Sequence, residues 1–483
     1  MGEKHMQGER DTSVSVSRRT FVGAAGATAG VGLAGCVYGG SGSEDSVVWG
    51  FDPNPASEIP DEIRDLYYEA GLDEDIEIEF RGGEEDTGER RNSYIDLFEA
   101  GETQPELFLI DNGWATEFIQ RGYLENLTEV LDDDELAYID DEYFDGFTDT
   151  VRDPETGDLY GIPYYPDFPT MQYRKDYARE AGYDDDDFEE WATEPMTWLE
   201  WAEIVEDVVE ASDADYGFTT QFAIYEGTAC CTFNEVLSSW GGAYFGGRDN
   251  LFGPVGDRPI TVDEPEFIDA IRMMRTFVAD EHGDDTLEEY PTGIANPGIT
   301  SHREGDAEED ILDGAAAFQR NWPFTLHSGP EEHGVDNWGA MPIPYAVSEE
   351  DAAQSGTGGT TAALGGWHVV LNPNAENRDE AIEVLRTTME DSVSLGLFEE
   401  WGWLPPKPAL FESAEAEAIE PVGEYLETLR VAGENTMARP STRVWSSQSS
   451  NIAEEVNRAV AGEKDPEEAA ADLYGYLDDL EQS

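Results

Sequence analysis

The sequence carries very little positive charge. Its 27 Lys and Arg residues stand against 108 Asp and Glu residues, which gives a formal net charge of -81 at pH 7. Lysine occurs only at Lys4, Lys175, Lys407 and Lys464. A chain this acidic repels nucleic-acid phosphates and anionic lipid surfaces. We therefore expect no nucleic-acid partner.

The same acidity indicates the ionic strength at which the chain folds. Repulsion among so many carboxylates destabilises a compact protein in dilute salt, but at about 1 M salt the Debye length falls to about 3 Å. Disorder is the alternative for such a composition, yet 12 Trp, 21 Tyr and 21 Phe can form cores. We predict a folded protein of a halophile, with two or three domains in its 483 residues.

Cysteine and histidine are scarce as well. Besides Cys36 there are only Cys230 and Cys231. Because a disulfide between adjacent residues is strained, we predict that these two pack in a core or remain free thiols. The six His residues lack metal-binding spacing, so we expect no metal and no cofactor.

Long apolar runs are absent, apart from a short one near the N-terminus. The motif SRRTFV at 17–22 fits a twin-arginine export signal, and the Ala- and Gly-rich run after it ends in LAGC at 33–36. LAGC resembles a lipobox, in which Cys36 receives a lipid. A transmembrane helix needs about 20 apolar residues, more than this run offers. We predict a signal over 1–36 and a flexible tether over 37–46.

The chain after the tether has the pattern of an α/β protein. Apolar stretches of strand length at 47–51, 76–80 and 106–110 alternate with segments of helical periodicity that begin at Pro60 and surround Tyr94. Such alternation predicts right-handed crossovers and a parallel sheet.

Later segments predict a second α/β region. A capping box at 197–200 begins a helix, and we expect another helix to end at Gly283. Acid- and Gly-rich stretches predict surface loops over 284–310 and 348–361. A strand over 365–371 and two C-terminal helices complete the prediction.

Six sequence motifs along this chain match the motifs of one protein family, and they occur in the same order as in that family. They are PELFLID at 105–111, GIPYYPD at 161–167, AAFQRNWPF at 316–324, LGGW at 364–367, GWLPPKPAL at 402–410 and ARP at 438–440. Together they resemble the extracellular solute-binding proteins of sugar ABC importers, in the trehalose/maltose-binding branch of family 1. The signal and the acidity make the chain similar to a haloarchaeal-type lipoprotein.

The resemblance implies a fold and a set of partners. The fold would be α/β and two-lobed, like type II periplasmic binding proteins, with a hinge between discontinuous lobes: 47–158 and 366–404 form lobe 1, and 159–365 and 405–483 form lobe 2. Such a protein is a monomer and not an enzyme. It captures a sugar, such as trehalose or maltose, and delivers it to ABC permease subunits that work with a cytoplasmic ATPase. We expect it on the extracellular face of the membrane, anchored through the lipid on Cys36.

The resemblance also implies a set of ligand-binding positions. They are Arg91, Asp111, Tyr165, Asp167, Trp322, Phe324, Gly366, Trp367 and Arg439. Aromatic faces would cover sugar rings, and charged groups would bind hydroxyls. Arg90 is a rival of Arg91, and either Asp52 or Glu58 would supply a further acid. The alternatives for these residues are core tryptophans, solvated acids and surface ion pairs.

Two other functions use similar residues. A glycoside hydrolase needs two carboxyl groups about 5–9 Å apart, and a chain this acidic offers many such pairs. A ferric-ion receptor would use tyrosinates, for which Tyr164 and Tyr165 are candidates. Release of monosaccharide from disaccharides would identify the first function, and a visible charge-transfer band the second.

Overall fold

The computed structural model describes residues 46–84 and 86–483. The predicted signal, Cys36 and all of the predicted tether except Ser46 lie outside these residues. Within the described part of the chain, no helix combines the length and the apolar character needed to cross a membrane.

The strands of the described residues form two larger sheets and one short ladder. The strands are β1 (Ser46–Phe51), β2 (Glu77–Gly82), β3 (Leu107–Asp111), β4 (Gly161–Asp167), β5 (Thr170–Arg174), β6 (Tyr216–Thr219), β7 (Ala316–Asn321), β8 (Trp338–Met341), β9 (Ala362–Ala363), β10 (Gly365–Leu371) and β11 (Thr436–Met437). The first sheet has the order β2-β1-β3-β10-β4 and the second β6-β7-β5-β8, while β11 pairs with β9.

Helices connect and flank these strands. They are α1 (Pro53–Glu58), α2 (Pro60–Glu69), α3 (Thr87–Ala100), α4 (Ala115–Arg121), α5 (Asp133–Glu142), α6 (Asp145–Thr148), α7 (Lys175–Ala181), α8 (Asp185–Thr193), α9 (Trp198–Ala211), α10 (Phe233–Ser239), α11 (Pro265–Val278), α12 (Glu304–Leu312), α13 (Thr325–His333), α14 (Arg378–Thr387), α15 (Asp391–Trp401), α16 (Pro408–Phe411), α17 (Ala414–Glu417), α18 (Leu426–Glu434), α19 (Trp445–Val460) and α20 (Pro466–Glu481). A π-helical turn, Thr228–Thr232, precedes α10.

The first sheet is parallel where the alternating pattern predicted it. β1 is buried along its whole length and pairs in parallel with β2 and β3. α2 begins with Pro60 at its first position, and α3 ends at Gly101, whose φ of 69° suits glycine. β10 confirms the strand predicted over 365–371. It lies between β3 and β4 and is antiparallel to both, so the complete sheet is mixed.

The second sheet has its own hydrophobic core. Side chains of β5 and β7 pack there with those of α9, α11, α19 and α20. α9 begins at the predicted capping box, in which the Thr197 hydroxyl accepts from the Glu200 N–H and the Glu200 carboxylate accepts from the Thr197 N–H. The two predicted C-terminal helices are also present: the one predicted over 452–460 begins earlier, at Trp445, and the one predicted over 466–480 is α20.

Two local predictions were wrong. Residues 284–310 are not all loop, because α12 begins at Glu304 and buries Ala307 and Ile311. These two apolar positions, four residues apart, are surrounded by acidic residues in the sequence, so the helical periodicity was not recognised. α11 ends at Val278 rather than near Gly283, because Ala279 has an extended backbone.

Strand pairing moves the predicted lobe boundaries. Residues 161–167 were assigned to lobe 2, but they form β4, which pairs with β10 of the first sheet. Since β5 begins the second sheet at Thr170, the chain crosses between the sheets near Phe168. It returns at 362–364, just before β10. The structure therefore has the predicted two-lobed α/β fold with discontinuous lobes.

Candidate functional site

A cavity of about 460 Å³ is lined by residues of both lobes. On the first-sheet side, Asp111, Tyr165 and Trp367 lie on β3, β4 and β10, three adjacent strands. On the other side, the chain leaving β7 supplies Trp322 and Phe324. The cavity thus lies at strand ends, where α/β folds commonly place binding sites.

Eight of the nine predicted site residues line this cavity: Asp111, Tyr165, Asp167, Trp322, Phe324, Gly366, Trp367 and Arg439. Arg91 is the exception and needs a correction. It pairs with Glu117 on α4 and is not among the lining residues. Arg90 lines the cavity instead, because consecutive positions of a helix point about 100° apart.

Arg90 is fixed by three contacts. Its Nη1 donates to Asp52 Oδ2 at 3.1 Å, and its Nε donates to the Glu84 carbonyl at 2.8 Å. Its guanidinium carbon lies 4.9 Å from the Trp367 ring centroid. Asp52, the N-cap of α1, also lines the cavity, whereas Glu58 does not. Asp52 is therefore the acid that the structure places here.

Aromatic rings form much of the cavity wall. The Trp367 ring meets the edge of Trp114 at 5.5 Å between centroids, and 8% of Trp367 is exposed. Tyr165 and Trp403 stack at 4.2 Å with an angle of 11° between their planes. Gly366, with a φ of 124°, is required beside them because a Cβ would lie 2.5 Å from the Tyr165 carbonyl oxygen.

The predicted set omitted two of these tryptophans. Trp401, the last residue of α15, and Trp403, two residues beyond it, line the cavity. The motif GWLPPKPAL, which contains Trp403, was the available signal. Trp403 follows Gly402 and lies two residues before Pro405, and its place in this motif indicates a site residue more specifically than its residue type alone.

Arg439 joins carboxyl groups of both lobes. Its Nη1 lies 2.9 Å from Asp111 Oδ1 and 3.3 Å from Glu226 Oε1, and its side chain is 6% exposed. Gly113 makes room for it, because a Cβ there would lie 2.6 Å from Arg439 Nη1. Burial raises the pKa of Glu226, and Arg439 opposes that rise.

Asp167 has an unusual protonation state for a carboxyl group. Burial raises its pKa to about 8; Arg320 lowers it, while Asp111 and Glu304 raise it further. The carboxyl group is therefore largely protonated at neutral pH, and it can donate one hydrogen bond as well as accept others.

A buried ion pair lies behind Trp322. Arg320 stacks over the Trp322 ring at 4.6 Å and donates through Nε to Glu235 Oε2 at 2.8 Å. Its Nη1 donates to Gln221 Oε1 at 2.8 Å, and the Ala363 N–H donates to Glu235 Oε1 at 2.9 Å. This network fixes the position of the Trp322 ring.

The outer part of the cavity contains polar groups that sequence reasoning missed. Arg303, the N-cap of α12, pairs with Asp86, the N-cap of α3. Tyr225 donates to Glu304 Oε1 at 2.6 Å and lies under the Arg303 guanidinium. These residues follow loops without periodic pattern, so the sequence offered no signal for them.

The two adjacent cysteines also line the cavity, and they are bonded. Cys230 and Cys231 form a disulfide in the π-helical turn Thr228–Thr232. Packing in a core, the first predicted alternative, is confirmed, whereas the prediction of free thiols was wrong. It assumed ordinary backbone geometry, whereas this turn departs from the α-helical pattern.

The cavity is suited to a neutral ligand rich in hydroxyl groups. It combines aromatic faces with carboxyl and guanidinium groups, which cover apolar ring surfaces and bind hydroxyls respectively. Within residues 46–84 and 86–483, no three His, Cys, Asp or Glu side chains are grouped to hold a metal ion. Tyr164 accepts a hydrogen bond from Tyr67 in the core and does not line the cavity, so the predicted tyrosinate pair for ferric ion is not formed there.

Two proteins with similar sequences are named as binding proteins. A "Probable ABC transporter-binding protein" of Deinococcus radiodurans is 27% identical over 236 residues, 48% of this chain and 47% of that protein. A "Lactose-binding protein" of Rhizobium radiobacter is 25% identical over 296 residues, 59% of this chain and 56% of that protein. The chain therefore matches about half the length of each.

The fold is similar to that of solved binding proteins. The structure of maltose-bound MalE3 of T. maritima has a TM-score of 0.72 and 23% identity, covering 90% of this chain and 99% of that one. The sequence profile of the bacterial extracellular solute-binding proteins matches residues 53–387. The chain therefore belongs to the bacterial extracellular solute-binding protein family.

Proposed function

We propose that this protein is the sugar-binding receptor of an ABC importer. The observation that carries the proposal is the cavity between the lobes, where Trp322, Trp367 and Trp403 lie beside Asp111, Asp167 and other polar groups. A sugar ring presents an apolar C–H face and a rim of hydroxyls, and this cavity offers partners for both. The lobes close around the sugar, and the closed form is recognised by the permease subunits.

The charge of the cavity favours a neutral ligand. Seven carboxyl-bearing residues line it, against three arginines. The carboxyl residues are Asp52, Asp86, Asp111, Asp167, Glu226, Glu304 and Glu308, and the arginines are Arg90, Arg303 and Arg439. An anionic ligand such as a phosphodiester would be repelled by this excess of carboxylates. Sugar hydroxyls, by contrast, bind carboxyl groups in either protonation state.

Buried donors support a ligand with acceptor oxygens. Arg439 Nε and Trp114 Nε1 have no hydrogen-bond partner among the described residues. Leaving a buried donor unpaired costs about 1–3 kcal/mol, and a ligand hydroxyl offsets this cost where side-chain movement brings it to these enclosed atoms.

Within this proposal, the ligand is a disaccharide such as maltose or trehalose. The cavity of about 460 Å³ falls in the usual range of about 300–1,000 Å³ for small-molecule sites. The maltose-bound MalE3 of T. maritima shares the fold.

The proposed place of action is outside the cell membrane. The twin-arginine motif and LAGC at 33–36 would export the folded chain and attach it through lipid on Cys36. The protein then works as a monomer at the extracellular face and performs no catalysis. Its acidity suits high external salt.

Titration calorimetry at molar salt tests the function. The purified protein is titrated with maltose, trehalose and lactose, and separately with glucose and glycerol 3-phosphate. We expect micromolar or tighter binding of at least one sugar, no binding of the phosphate ester, and no free monosaccharide after overnight incubation. Failure of every sugar to bind would refute the proposal, and release of monosaccharide would favour a glycoside hydrolase.

A further inference from the structure

The disulfide between Cys230 and Cys231 lies where a ligand would touch it. Both residues line the cavity, together with Glu226 and Gly227 just before them. Four residues of the segment 226–231 therefore line the cavity on the second-lobe side, while Thr228 and Ala229 are buried behind them. Each cysteine is 3% exposed, so the cavity is the route by which a small molecule can reach it.

Hydrogen bonds and core packing hold the turn that carries the disulfide. The Tyr244 hydroxyl donates to the Ala229 carbonyl at 2.8 Å, and the Thr228 hydroxyl donates to the Ala223 carbonyl at 2.6 Å. Both cysteines belong to the hydrophobic core of the second lobe. These contacts hold the two sulfur atoms in one position at the cavity surface.

The chemistry of the disulfide differs from that of its neighbours. It has no hydrogen-bond donor and is largely apolar, whereas Glu226, Arg439 and Asp111 nearby present charge. A wall of this kind matches the side of a sugar ring that carries C–H groups and no projecting hydroxyl. Trp367 and Trp403 supply apolar surface from the core of the first lobe, so a bound ring would meet apolar contacts from both lobes.

We propose that the Cys230–Cys231 disulfide is a ligand contact, and that reducing it weakens sugar binding. This inference rests on the proposed function. A dithiol reductant transfers two electrons and two protons: its thiolate attacks one sulfur of the pair, the S–S bond breaks, and the reductant leaves as a cyclic disulfide. Two thiols then replace one compact apolar patch. The thiols move apart and add S–H donors, which loosens the turn and disturbs the contact.

The disulfide is compatible with the proposed location. Disulfides form and persist in oxidising compartments, including the cell surface. The bond would thus be intact during sugar capture and broken only under reducing conditions.

Calorimetry on the full-length protein in molar salt tests the inference. Maltose, trehalose and lactose are titrated into the wild type before and after treatment with dithiothreitol, and alkylation with mass spectrometry follows both thiols. We expect the oxidised protein to resist alkylation at Cys230 and Cys231. After reduction, we expect both to be alkylated and Kd to rise roughly fourfold to fifteenfold, the loss expected for one or two methylene groups of apolar contact.

The double variant Cys230→Ser/Cys231→Ser is the matched control. It should bind as weakly as the reduced wild type, and dithiothreitol should leave its affinity unchanged. A melt of each sample separates weakened binding from unfolding, because the reduced wild type should remain folded at the assay temperature.

The outcomes distinguish the two proposals. If the oxidised wild type binds sugar and reduction leaves Kd unchanged, or if both cysteines are alkylated without reductant, the disulfide contact is refuted while the sugar-binding function stands. If the oxidised wild type binds no sugar, the proposed function fails and this inference fails with it.

Discussion

The two walls of the cavity are built in different ways. On the first-lobe wall, Asp111, Tyr165 and Trp367 lie on adjacent paired strands. On the second-lobe wall, the lining groups lie after a strand, in a π-helical turn and at a helix N-terminus: Trp322, Cys230 and Arg303 are examples. Backbone pairing positions the first wall, whereas side-chain networks position the second. Substitutions behind the two walls should therefore have different effects.

The largest effect is expected behind the second wall. Arg320→Met leaves Glu235, which is 1% exposed, as a buried carboxylate without its partner, and this should lower the free energy of unfolding by about 3–5 kcal/mol. Urea denaturation at constant high salt measures it. The control is Arg386→Met, whose partner Glu135 is part-exposed and whose cost should be below about 1 kcal/mol. Equal costs for the two variants would show that the network does not position this wall.

On the first wall, the main effect should be on binding. If Trp367 covers a sugar ring, Trp367→Ala removes about 1–3 kcal/mol of apolar contact, so affinity should fall by roughly fivefold to over a hundredfold. Calorimetry measures this fall, and a melt measures stability.

Trp201→Ala is the control for Trp367→Ala. Trp201 lies in the second core with no exposure, and its removal should cost about 3–5 kcal/mol of folding stability. We expect the Trp367 variant to lose less stability than this. Unchanged sugar affinity in Trp367→Ala would contradict a binding role for that ring.

Asp167, at the end of β4, should make the stability of the protein depend on pH. Because burial raises its pKa to about 8 from its ordinary value near 3.9, the folded protein holds a proton there that the unfolded chain releases. The contribution of protonated Asp167 to the free energy of unfolding is therefore fully present below about pH 4, and it is lost as pH rises from there through about 8.

The comparison of wild type with Asp167→Asn isolates this contribution. The asparagine stays neutral, so the variant should gain stability relative to wild type as pH rises from 5 to 8, by up to about 1 kcal/mol per pH unit. Urea denaturation at several pH values measures the difference. A difference that does not vary with pH would mean that Asp167 is already ionised at pH 5.

The smallest effect is expected at the exposed contact between the walls. Arg303 is 46% exposed and pairs with Asp86, so Arg303→Gln should weaken sugar binding by no more than about threefold. This effect should shrink as salt is raised, because solvent screens the pair. Arg439→Gln, at 6% exposure, should weaken binding more and with less dependence on salt. If Arg303→Gln weakened binding more than Arg439→Gln, the proposed difference between the exposed and the buried ion pair would be wrong.

Local patterns in the sequence predicted many of the elements. The capping box at Thr197 and the strand 365–371 depend on neighbours in the chain, and both were found where predicted. α12 was not predicted, because two apolar residues among acids do not reveal a helix by themselves. Their burial becomes evident only when the helix packs in the second lobe. Eight of the nine site positions, taken from motifs, line the cavity; their contact with a ligand remains a prediction.

The sequence by itself determined the acidic character, the α/β pattern and the motifs that place aromatic and acidic residues at strand ends, because these features depend on residue type and local spacing. Only the tertiary structure placed Arg90 rather than Arg91, and Asp52 rather than Glu58, at the cavity. It also showed a disulfide between Cys230 and Cys231 instead of free thiols. It also assigned β4 to the first sheet. Each of these outcomes depends on groups far apart in the chain, whose approach is set by strand pairing and packing.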